Sequence, residues 1–255
     1  MQLVILAGGL GSRLSEETVL KPKPLIEIGG MPIIWHIMKI YEAHGVKDFI
    51  VCLGYKGYMI KEFFSNLRLH SSDFTINPDG KITFHGGPGN DWRLTLIDTG
   101  AETQTGGRIL RVKDFIKEDN FFMTYGDGLG DVDIKKLYQA HLDNGCLATV
   151  TAVRPTARFG ALEISNDKVT AFVEKPITEG GLINGGFFVL NKKALGYVQG
   201  DQTLWEQEPM RNLAKNGQLG AFAHDGFWQP MDTLREKLLL EELWVSGRAP
   251  WKIWK

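Results

Sequence analysis

The 255-residue chain is 43% hydrophobic, enough to bury a core, and its length predicts one large domain or two small ones. Its 29 basic and 30 acidic residues give a net charge of −1, so no global field favours DNA, RNA or an anionic membrane surface. We therefore predict no nucleic-acid and no membrane partner, and any anionic ligand must be held by local groups.

The cysteines and the N-terminus indicate a reduced environment. Cys52 and Cys146 lie in apolar runs without CxxC spacing, which argues against a disulfide framework and a zinc site, and we expect both thiols to be buried. The first apolar run ends after about five residues and lacks a preceding basic region, and no run approaches the ~18 apolar residues of a membrane span. These features predict a cytoplasmic protein.

The first half of the sequence alternates short apolar runs with helical patterns. This alternation is typical of βαβ units, in which helices cover a parallel sheet. Between about residues 68 and 100 the pattern loosens, and there NPDG (77–80) predicts a hairpin turn and HGGPGND (85–91) a flexible loop. In chain order the pattern predicts strands at 3–6, 48–53, 121–125 and 147–153, and helices at 32–45, 56–67, 107–117 and 133–145.

The pattern changes after about residue 154. The apolar runs ALEI, VTAFV and FFVL follow one another with little helix between them, which predicts a small, partly antiparallel subdomain on the main sheet. A C-terminal helix at 234–247 has Leu234, Leu238 and the leucines that flank Glu241 on one apolar stripe. The tail APWKIWK (249–255) is either exposed as a subunit contact or packed against its own chain. Together the elements predict an α/β fold with a Rossmann-like, mixed but mainly parallel sheet flanked by helices.

The stretch VILAGGLGSRL (4–14) places glycines between a strand and an arginine. Small residues at such a turn let backbone N–H groups converge on an anion. The dinucleotide fingerprint GxGxxG fails at Leu14, where it needs glycine, and no GK[ST] of a P-loop occurs. Arg13 lies near Lys21 and Lys23, each followed by a proline, which is typical of a polyphosphate site. The alternatives are a tight turn with a solvated arginine, and a solvated Lys21.

Two carboxylates stand at the ends of predicted elements. Asp127 follows the strand FFMTY, at the carboxyl end where the ligands of parallel sheets collect. Asp232 either caps a helix that starts at Thr233 or converges with Asp127 on Mg²⁺, which prefers oxygen ligands. The histidines have no HxH or HExxH spacing and GxSxG is absent from the sequence, so we predict no side-chain nucleophile.

The quoted motifs resemble a known family. LAGGLGSRL followed by KPKPLIEIGGMP is similar to the signature of the sugar nucleotidyltransferases, which join a nucleoside triphosphate to a sugar 1-phosphate. The resemblance extends over nearly the full chain to the glucose-1-phosphate cytidylyltransferases. Its further motifs are TYGDG (124–128), RFGALEI (158–164), FVEKP (172–176), NGGFFVL (184–190) and FWQPMDT (227–233), with LSEETVLKPKP, GYKGYMIKEFF, TGGRILRV, WEQEPM and RAPWKIWK closer still.

The resemblance implies an activity and an organisation. We expect transfer of a cytidylyl group from CTP to α-D-glucose 1-phosphate with Mg²⁺, giving CDP-glucose for deoxysugar, O-antigen and lipopolysaccharide synthesis. The fold expected is that of the nucleotide-diphospho-sugar transferases, as one domain over 1–255. Its nucleotide-binding half covers about 1–153, and its sugar-phosphate-binding half, with the C-terminal helices, about 154–255. A homo-oligomer is implied, and a single activity is expected because hexapeptide repeats are missing from the sequence.

Roles for individual residues follow from the same resemblance. The catalytic residues implied are Arg13, facing the departing pyrophosphate, and Lys23, at the α-phosphate. The metal ligands implied are Asp127 and Asp232. The nucleotide-binding set is Leu6, Ala7, Gly8, Gly9, Gly11, Ser12, Thr105, Gly106, Arg108 and Gly126. The sugar-phosphate set is Gly160, Glu174, Lys175, Asn184 and Gly185, with Arg158 as an additional phosphate ligand.

Two other functions stay open at this stage. A site that pairs with the exocyclic amine and N3 of cytosine would reject UTP, but CTP itself is implied by the resemblance alone. A nucleotidyltransferase that uses a different sugar 1-phosphate or nucleotide is therefore one alternative. The other is a non-catalytic nucleotide-sugar sensor, which would be expected to lack the cationic and carboxylate set.

Overall fold

The centre of the protein is a seven-stranded mixed sheet. The computed structural model describes residues 1–9, 11, 18–86, 91–155, 161–165, 168–173 and 181–254. In spatial order the strands of the sheet are β14 (Leu219–His224), β10 (Ala148–Val153), β13 (Ile183–Asn191), β8 (Asn120–Tyr125), β1 (Gln2–Ala7), β4 (Asp48–Leu53) and β7 (Arg93–Asp98).

Strand direction confirms the predicted mixed, mainly parallel sheet. Among the described strands, β13 runs antiparallel to both of its neighbours, β8 and β10. The other four neighbouring pairs are parallel. Because β1 and β8 are parallel and adjacent, the segments that follow them emerge at the same edge of the sheet.

Helices cover both faces of this sheet. Alternate residues of β1 enter different cores: Leu3 and Ile5 pack in one cluster, and Val4 and Leu6 in the other. This alternation explains why β1 is buried throughout and reads as a continuous apolar run. The helices are α1 (Ile33–Ala43), α2 (Gly57–Ser71), α3 (Thr105–Arg111), α4 (Ile134–Asn144), α5 (Glu208–Lys215) and α6 (Leu234–Val245).

Capping residues set the bounds of α4, which match the prediction closely. The side chain of Asp133 accepts from the backbone N–H of Lys136, and Gly145 ends the helix in a left-handed conformation with φ 64°. The predicted helix 107–117 was wrong in its extent: α3 begins two residues earlier and ends at Arg111, and a 3₁₀ turn follows at Lys113–Phe115.

In the part of the chain that the structure describes, four small two-stranded sheets surround the main one. The predicted turn NPDG joins one of these pairs, β5 to β6. Of the three strands predicted for an antiparallel subdomain, ALEI and VTAFV pair as β11 and β12, but FFVL belongs to β13 in the main sheet. The pairs are β2 (Glu27–Ile28) with β3 (Met31–Pro32), β5 (Asp73–Ile76) with β6 (Ile82–His85), β9 (Gly128–Gly130) with β15 (Trp228–Pro230), and β11 (Ala161–Ser165) with β12 (Lys168–Val173).

The C-terminal segment packs on its own chain. The predicted stripe on α6 was wrong for Leu234 and Leu238, which are 39% and 58% exposed, whereas Leu240, which flanks Glu241, is fully buried. Trp251 is also fully buried, and its Nε1 donates to His36 Nδ1 on α1 at 3.4 Å. Of the two readings left open for the tail, packing against its own chain is therefore the correct one for Trp251.

The cysteines are both free, but only one is buried. Cys52 lies inside β4, whereas Cys146 is only partly buried, so the expectation of two buried thiols was wrong for Cys146. Over the described ranges, the structure has no helix that is long and apolar enough to cross a membrane.

Candidate active site

The glycine loop and Asp127 meet at one edge of the sheet. Gly8 and Gly9 follow β1, and Gly126 and Asp127 follow β8. The Gly126 N–H donates to the carbonyl of Leu6 at 2.9 Å, which ties the two segments together. The carboxyl ends of the two central parallel strands thus form one surface, as the sequence predicted.

Lys23 lies between the two predicted metal ligands. Its Nζ is 2.6 Å from Asp127 Oδ2 and 2.6 Å from Asp232 Oδ1. A short 3₁₀ helix at Lys23–Leu25 holds the lysine, with a proline on either side fixing the backbone. Burial of the ammonium group lowers the pKa of Lys23, but the two carboxylates more than offset this effect, so the pKa lies above its ordinary value. Lys23 is therefore a protonated cation at neutral pH.

Local hydrogen bonds position Asp232 at the start of α6. Thr233, not Asp232, is the N-cap, and it forms a capping box with Glu236. The Glu236 carboxylate also accepts from the backbone N–H of Asp232 at 2.7 Å. The neighbouring Met231 N–H donates to the carbonyl of Asp127 at 2.9 Å. The capping interpretation of the Asp232 side chain was therefore wrong, because Thr233 fills that position.

Arg108 lies buried behind the glycine loop. The residue is 4% exposed, and no carboxylate of the described residues lies within 4 Å of its guanidinium. A Cβ atom on Gly8 would lie 2.2 Å from Arg108 Nη1, so only glycine fits there. The guanidinium donates to the hydroxyl of Thr99 and to the carbonyls of Gly8, Leu53, Gly100 and Ala101. Arg108 thus fixes the loop through its backbone and places a positive charge behind it.

Two cavities meet at this edge of the sheet. The first, of about 370 Å³, is lined by the glycine loop, Lys23, Thr105 and Arg108. The second, of about 460 Å³, is lined by residues of β13 and β15 and by Asp232. Tyr125 and Asp127 line both, so the carboxylate of Asp127 lies at the boundary between them. Volumes of this size suit small-molecule ligands.

Comparison with known proteins identifies the family. A family model described as nucleotidyl transferase matches residues 2–229 of the chain. The chain belongs to the nucleotidyl transferase family. It is 55% identical to a glucose-1-phosphate cytidylyltransferase of Salmonella typhi and 43% identical to a probable one of Bacillus subtilis, with 100% of each chain covered. Among solved structures, the crystal structure of HddC from Yersinia pseudotuberculosis has a TM-score of 0.70 and 26% identity, covering 95% of this chain and 99% of that one.

The predicted site residues of this nucleotidyl transferase fall into two groups around the cavities. Gly106 lies on α3 but packs against the Thr203 carbonyl, which a Cβ atom would approach to 2.7 Å. The first cavity is lined by Leu6, Ala7, Gly8, Gly9, Gly11, Lys23, Thr105, Arg108, Gly126 and Asp127. The second is lined by Asn184, Gly185, Asp127 and Asp232.

Some predicted residues fall outside the part of the chain that the structure describes. They are Ser12, Arg13, Arg158, Gly160, Glu174 and Lys175. Lys21, the ambiguous lysine, pairs with Glu27 at 2.6 Å, and both side chains are about half exposed. This contact agrees with the interpretation of Lys21 as a solvated surface residue.

The two aspartates suit Mg²⁺ in the chemistry of their donor atoms. Their carboxylate oxygens are hard ligands that converge on one position, where the Lys23 ammonium contacts both of them. The described residues contain no group of three or more His, Cys, Asp or Glu that could form a closed metal cage. Mg²⁺ commonly takes one or two carboxylates and completes its shell with water and substrate phosphates, so a two-carboxylate site fits.

Three residues that line or support the site, Tyr125, Glu206 and Trp228, were not predicted from the sequence. Tyr125 donates its hydroxyl to Glu206 Oε1 at 2.6 Å, and Glu206 lines the second cavity. Trp228 donates its Nε1–H to the carbonyl of Gly185 at 2.7 Å. Each lies within a motif that carried the family resemblance, TYGDG, WEQEPM and FWQPMDT, so the motif was the available signal. The contacts themselves join segments that are distant along the chain.

Proposed function

We propose that this chain transfers the cytidylyl group of CTP to α-D-glucose 1-phosphate, forming CDP-glucose and pyrophosphate. The substrates are supported by the two full-length relatives, at 55% and 43% identity, whose names state this activity. The reaction type is supported by one observation above all. A buried cation, Lys23, lies between two carboxylates at the boundary of two cavities.

The two cavities suit the two substrates of this reaction. The first has a glycine loop with convergent backbone and the buried Arg108 behind it, an arrangement that favours the triphosphate of CTP. The second has Asn184 and the Gly185 backbone, which suit a neutral, hydroxyl-rich sugar ring. A phosphate oxygen of glucose 1-phosphate forms the new bond to the α-phosphorus, and the bond from that phosphorus to the pyrophosphate oxygen breaks.

The residues contribute positioning and charge, because phosphoryl transfer asks little covalent chemistry of the protein. Lys23 neutralises the reacting α-phosphate, and Asp127 and Asp232 hold Mg²⁺. The metal, when bound, neutralises phosphate charge and orients the oxygens. On the same proposal, Arg13 faces the departing pyrophosphate, Lys175 binds the sugar phosphate, and Glu174 binds sugar hydroxyls.

The proposal includes an organisation for the chain. It acts as one domain, with a nucleotide-binding half over about 1–153 and a sugar-phosphate-binding half over about 154–255. The main sheet supports a single domain, because β10 from the first half lies between β13 and β14 from the second. We also expect a homo-oligomer, which light scattering of the purified protein would reveal.

A pyrophosphate-release assay tests the proposed activity. CTP, UTP, dTTP, GTP and ATP are each supplied with glucose 1-phosphate, with Mg²⁺ and with the metal chelated. We expect release with CTP that depends on Mg²⁺ and on the sugar phosphate. Release with UTP, dTTP, GTP or ATP but not with CTP would refute the base assignment. Tight binding of CDP-glucose without any turnover would instead favour a nucleotide-sugar sensor.

A further inference from the structure

Glu206 connects the two cavities through a pair of short hydrogen bonds. It lies in the loop before α5, and its Oε1 accepts from the Tyr125 hydroxyl at 2.6 Å. Its Oε2 accepts from the Thr105 hydroxyl at 2.6 Å. Thr105 lines the first cavity, Glu206 the second, and Tyr125 both. Side chains of two separate elements, α3 and β8, therefore hold one carboxylate at the wall of the second cavity.

The hydroxyl partners of Glu206 are fixed as donors. Burial and the Glu206 carboxylate raise the pKa of Tyr125 far above its ordinary value, so its hydroxyl stays protonated. The Tyr125 oxygen accepts from Asn184 Nδ2 at 3.3 Å, and the Thr105 oxygen accepts from the backbone N–H of Trp205 at 2.9 Å. Both hydroxyls are thus oriented toward Glu206, which fixes the position of the carboxylate before any ligand binds.

The charge and the acceptor capacity of Glu206 define the ligand that suits it. No lysine, arginine or histidine nitrogen of the described residues lies within 4 Å of the carboxylate. A phosphate near this carboxylate would be repelled, whereas a neutral hydroxyl would be attracted. A carboxylate has about four lone-pair sites, and the two hydroxyls occupy two of them. Room remains for hydroxyl donors from the cavity side.

We propose that Glu206 is a specificity-determining residue that accepts a hydrogen bond from a ring hydroxyl of the hexose in the second cavity. This inference rests on the proposed function and extends it to the sugar. A bound sugar displaces water from the carboxylate, and its hydroxyl replaces the hydrogen bond that the water donated. An analogue that lacks the hydroxyl leaves the anion without a donor, so the site discriminates against it. Thr105 and Tyr125 act on the sugar through Glu206, as positioning residues.

A series of deoxy substrates tests the contact directly. The kcat/KM of glucose 1-phosphate and of its 2-, 3-, 4- and 6-deoxy analogues is measured at saturating CTP for the wild type and for Glu206→Ala. We expect the wild type to lose roughly tenfold to a hundredfold with one analogue, the size of a hydrogen bond to a charged group. In Glu206→Ala we expect the kcat/KM of glucose 1-phosphate itself to fall by a similar factor. The kcat/KM of that analogue in the variant should then lie within threefold of the value for glucose 1-phosphate.

The opposite result would overturn the inference. If every analogue kept its wild-type ratio to glucose 1-phosphate in Glu206→Ala, within threefold, the residue would not contact the sugar. Glu206→Gln, which keeps the shape and one acceptor oxygen, carries the same comparison if Glu206→Ala fails to fold by its melting curve. The ratio meant is the kcat/KM of glucose 1-phosphate divided by that of the analogue with the largest loss in the wild type. This ratio must be smaller in Glu206→Gln than in the wild type, and an unchanged ratio again counts against the contact.

Two control variants separate contact from general disturbance. Glu208→Gln removes an exposed carboxylate two residues away and should leave all ratios unchanged. Tyr125→Phe removes one anchor and keeps the Glu206 carboxylate, so overall activity falls but discrimination between analogues persists. If the wild type used another hexose 1-phosphate instead of glucose 1-phosphate, the proposed function would fail. The deoxy series of that hexose would then decide the role of Glu206.

Discussion

Replacing Lys23 with methionine removes the central cation of the proposed site. The substitution keeps an unbranched apolar stem of four atoms and deletes the ammonium that bridges Asp127 and Asp232 at 2.6 Å. The two carboxylates then face one another without the cation between them. We expect two separable losses, a moderate one in stability and a larger one in turnover.

The geometry of the ion pairs sets the magnitude of the loss in stability. Breaking a fully buried pair costs about 3–5 kcal/mol, because a charge remains without its partner. Here the lysine side chain is 11% exposed, but the Asp127 and Asp232 side chains are 33% and 23% exposed, so water screens the carboxylates that remain. We therefore expect Lys23→Met to lower the free energy of unfolding by about 1–3 kcal/mol.

Lys23→Met should raise the activation free energy of turnover by more than it lowers the free energy of unfolding. Removing one group that stabilises transition-state charge typically lowers kcat by about 10²–10³, or about 2.7–4 kcal/mol. Urea unfolding gives the change in stability, and pyrophosphate release with saturating CTP and glucose 1-phosphate gives kcat. Lys21→Met is the matched control, because that lysine is about half exposed and pairs with a similarly exposed Glu27. It should change the free energy of unfolding by less than about 1 kcal/mol.

The same variant has an expected effect on metal binding. In the wild type the Lys23 ammonium pairs with both carboxylates and offsets part of their negative charge, so Mg²⁺ has to compete with it. Lys23→Met should therefore bind Mg²⁺ more tightly than the wild type when nucleotide is absent, as measured by calorimetry. Turnover within twofold of the wild type, together with unchanged Mg²⁺ affinity, would refute the reasoning about Lys23.

Three further substitutions test other parts of the structure. The lysine of Arg108→Lys cannot donate to all five oxygen acceptors of the guanidinium. Urea unfolding should therefore show a free energy of unfolding lower by about 2–4 kcal/mol, and turnover should also fall. Wild-type stability would contradict the role assigned to the guanidinium. Burial lowers the pKa of His36 from 6.5 to about 4, so the free energy of unfolding should decrease by up to about 3 kcal/mol as the pH falls from 6.5 to 4. A pH series on His36→Gln should show a shallower decrease, and an identical slope would exclude the histidine as the cause. Gly29→Ala places a Cβ atom 1.9 Å from Trp244 Nε1 at a φ of 60° and should lower the melting temperature clearly more than Gly30→Ala, which has a φ of 78° but open space around it; equal shifts would contradict the packing of α6 on this turn.

The central strands could be predicted from the sequence because burial on both faces leaves a continuous apolar run. β4 was predicted with its observed bounds for that reason. β14, with the sequence LGAFAH, has only partly buried and exposed residues and was missed, as was the short α5 beside it. Strand β13 was recognised as a strand, but its place in the main sheet depends on pairing with two distant strands.

The orientation of α6 shows what spacing alone leaves undetermined. Several faces of LREKLLLEELWV contain leucine, so the apolar pattern does not select one of them. The face that packs is selected by tertiary contacts: Glu241 accepts from the backbone N–H of Gly29 at 2.9 Å, and Trp244 covers that glycine. The exposed Leu234 and Leu238 lie away from this contact.

The motifs predicted which residues gather at the site, but not how they contact one another. Lys23 and Asp232 are 209 positions apart, and nothing local indicates that their side chains meet. Arg108 was expected to bind nucleotide, and its hydrogen bonds to the backbone behind the loop were not foreseeable from TGGR. Glu206 shares its two oxygens between α3 and β8, a contact that only the fold creates.

A competition experiment tests the proposed activity most directly. The enzyme is given equal concentrations of CTP, UTP, dTTP and GTP with glucose 1-phosphate and Mg²⁺ in one tube, and the nucleotide sugars formed at early times are separated and quantified. The ratio of products equals the ratio of kcat/KM values. We predict that CDP-glucose is the main product. A mixture dominated by UDP-glucose, dTDP-glucose or GDP-glucose would contradict the account.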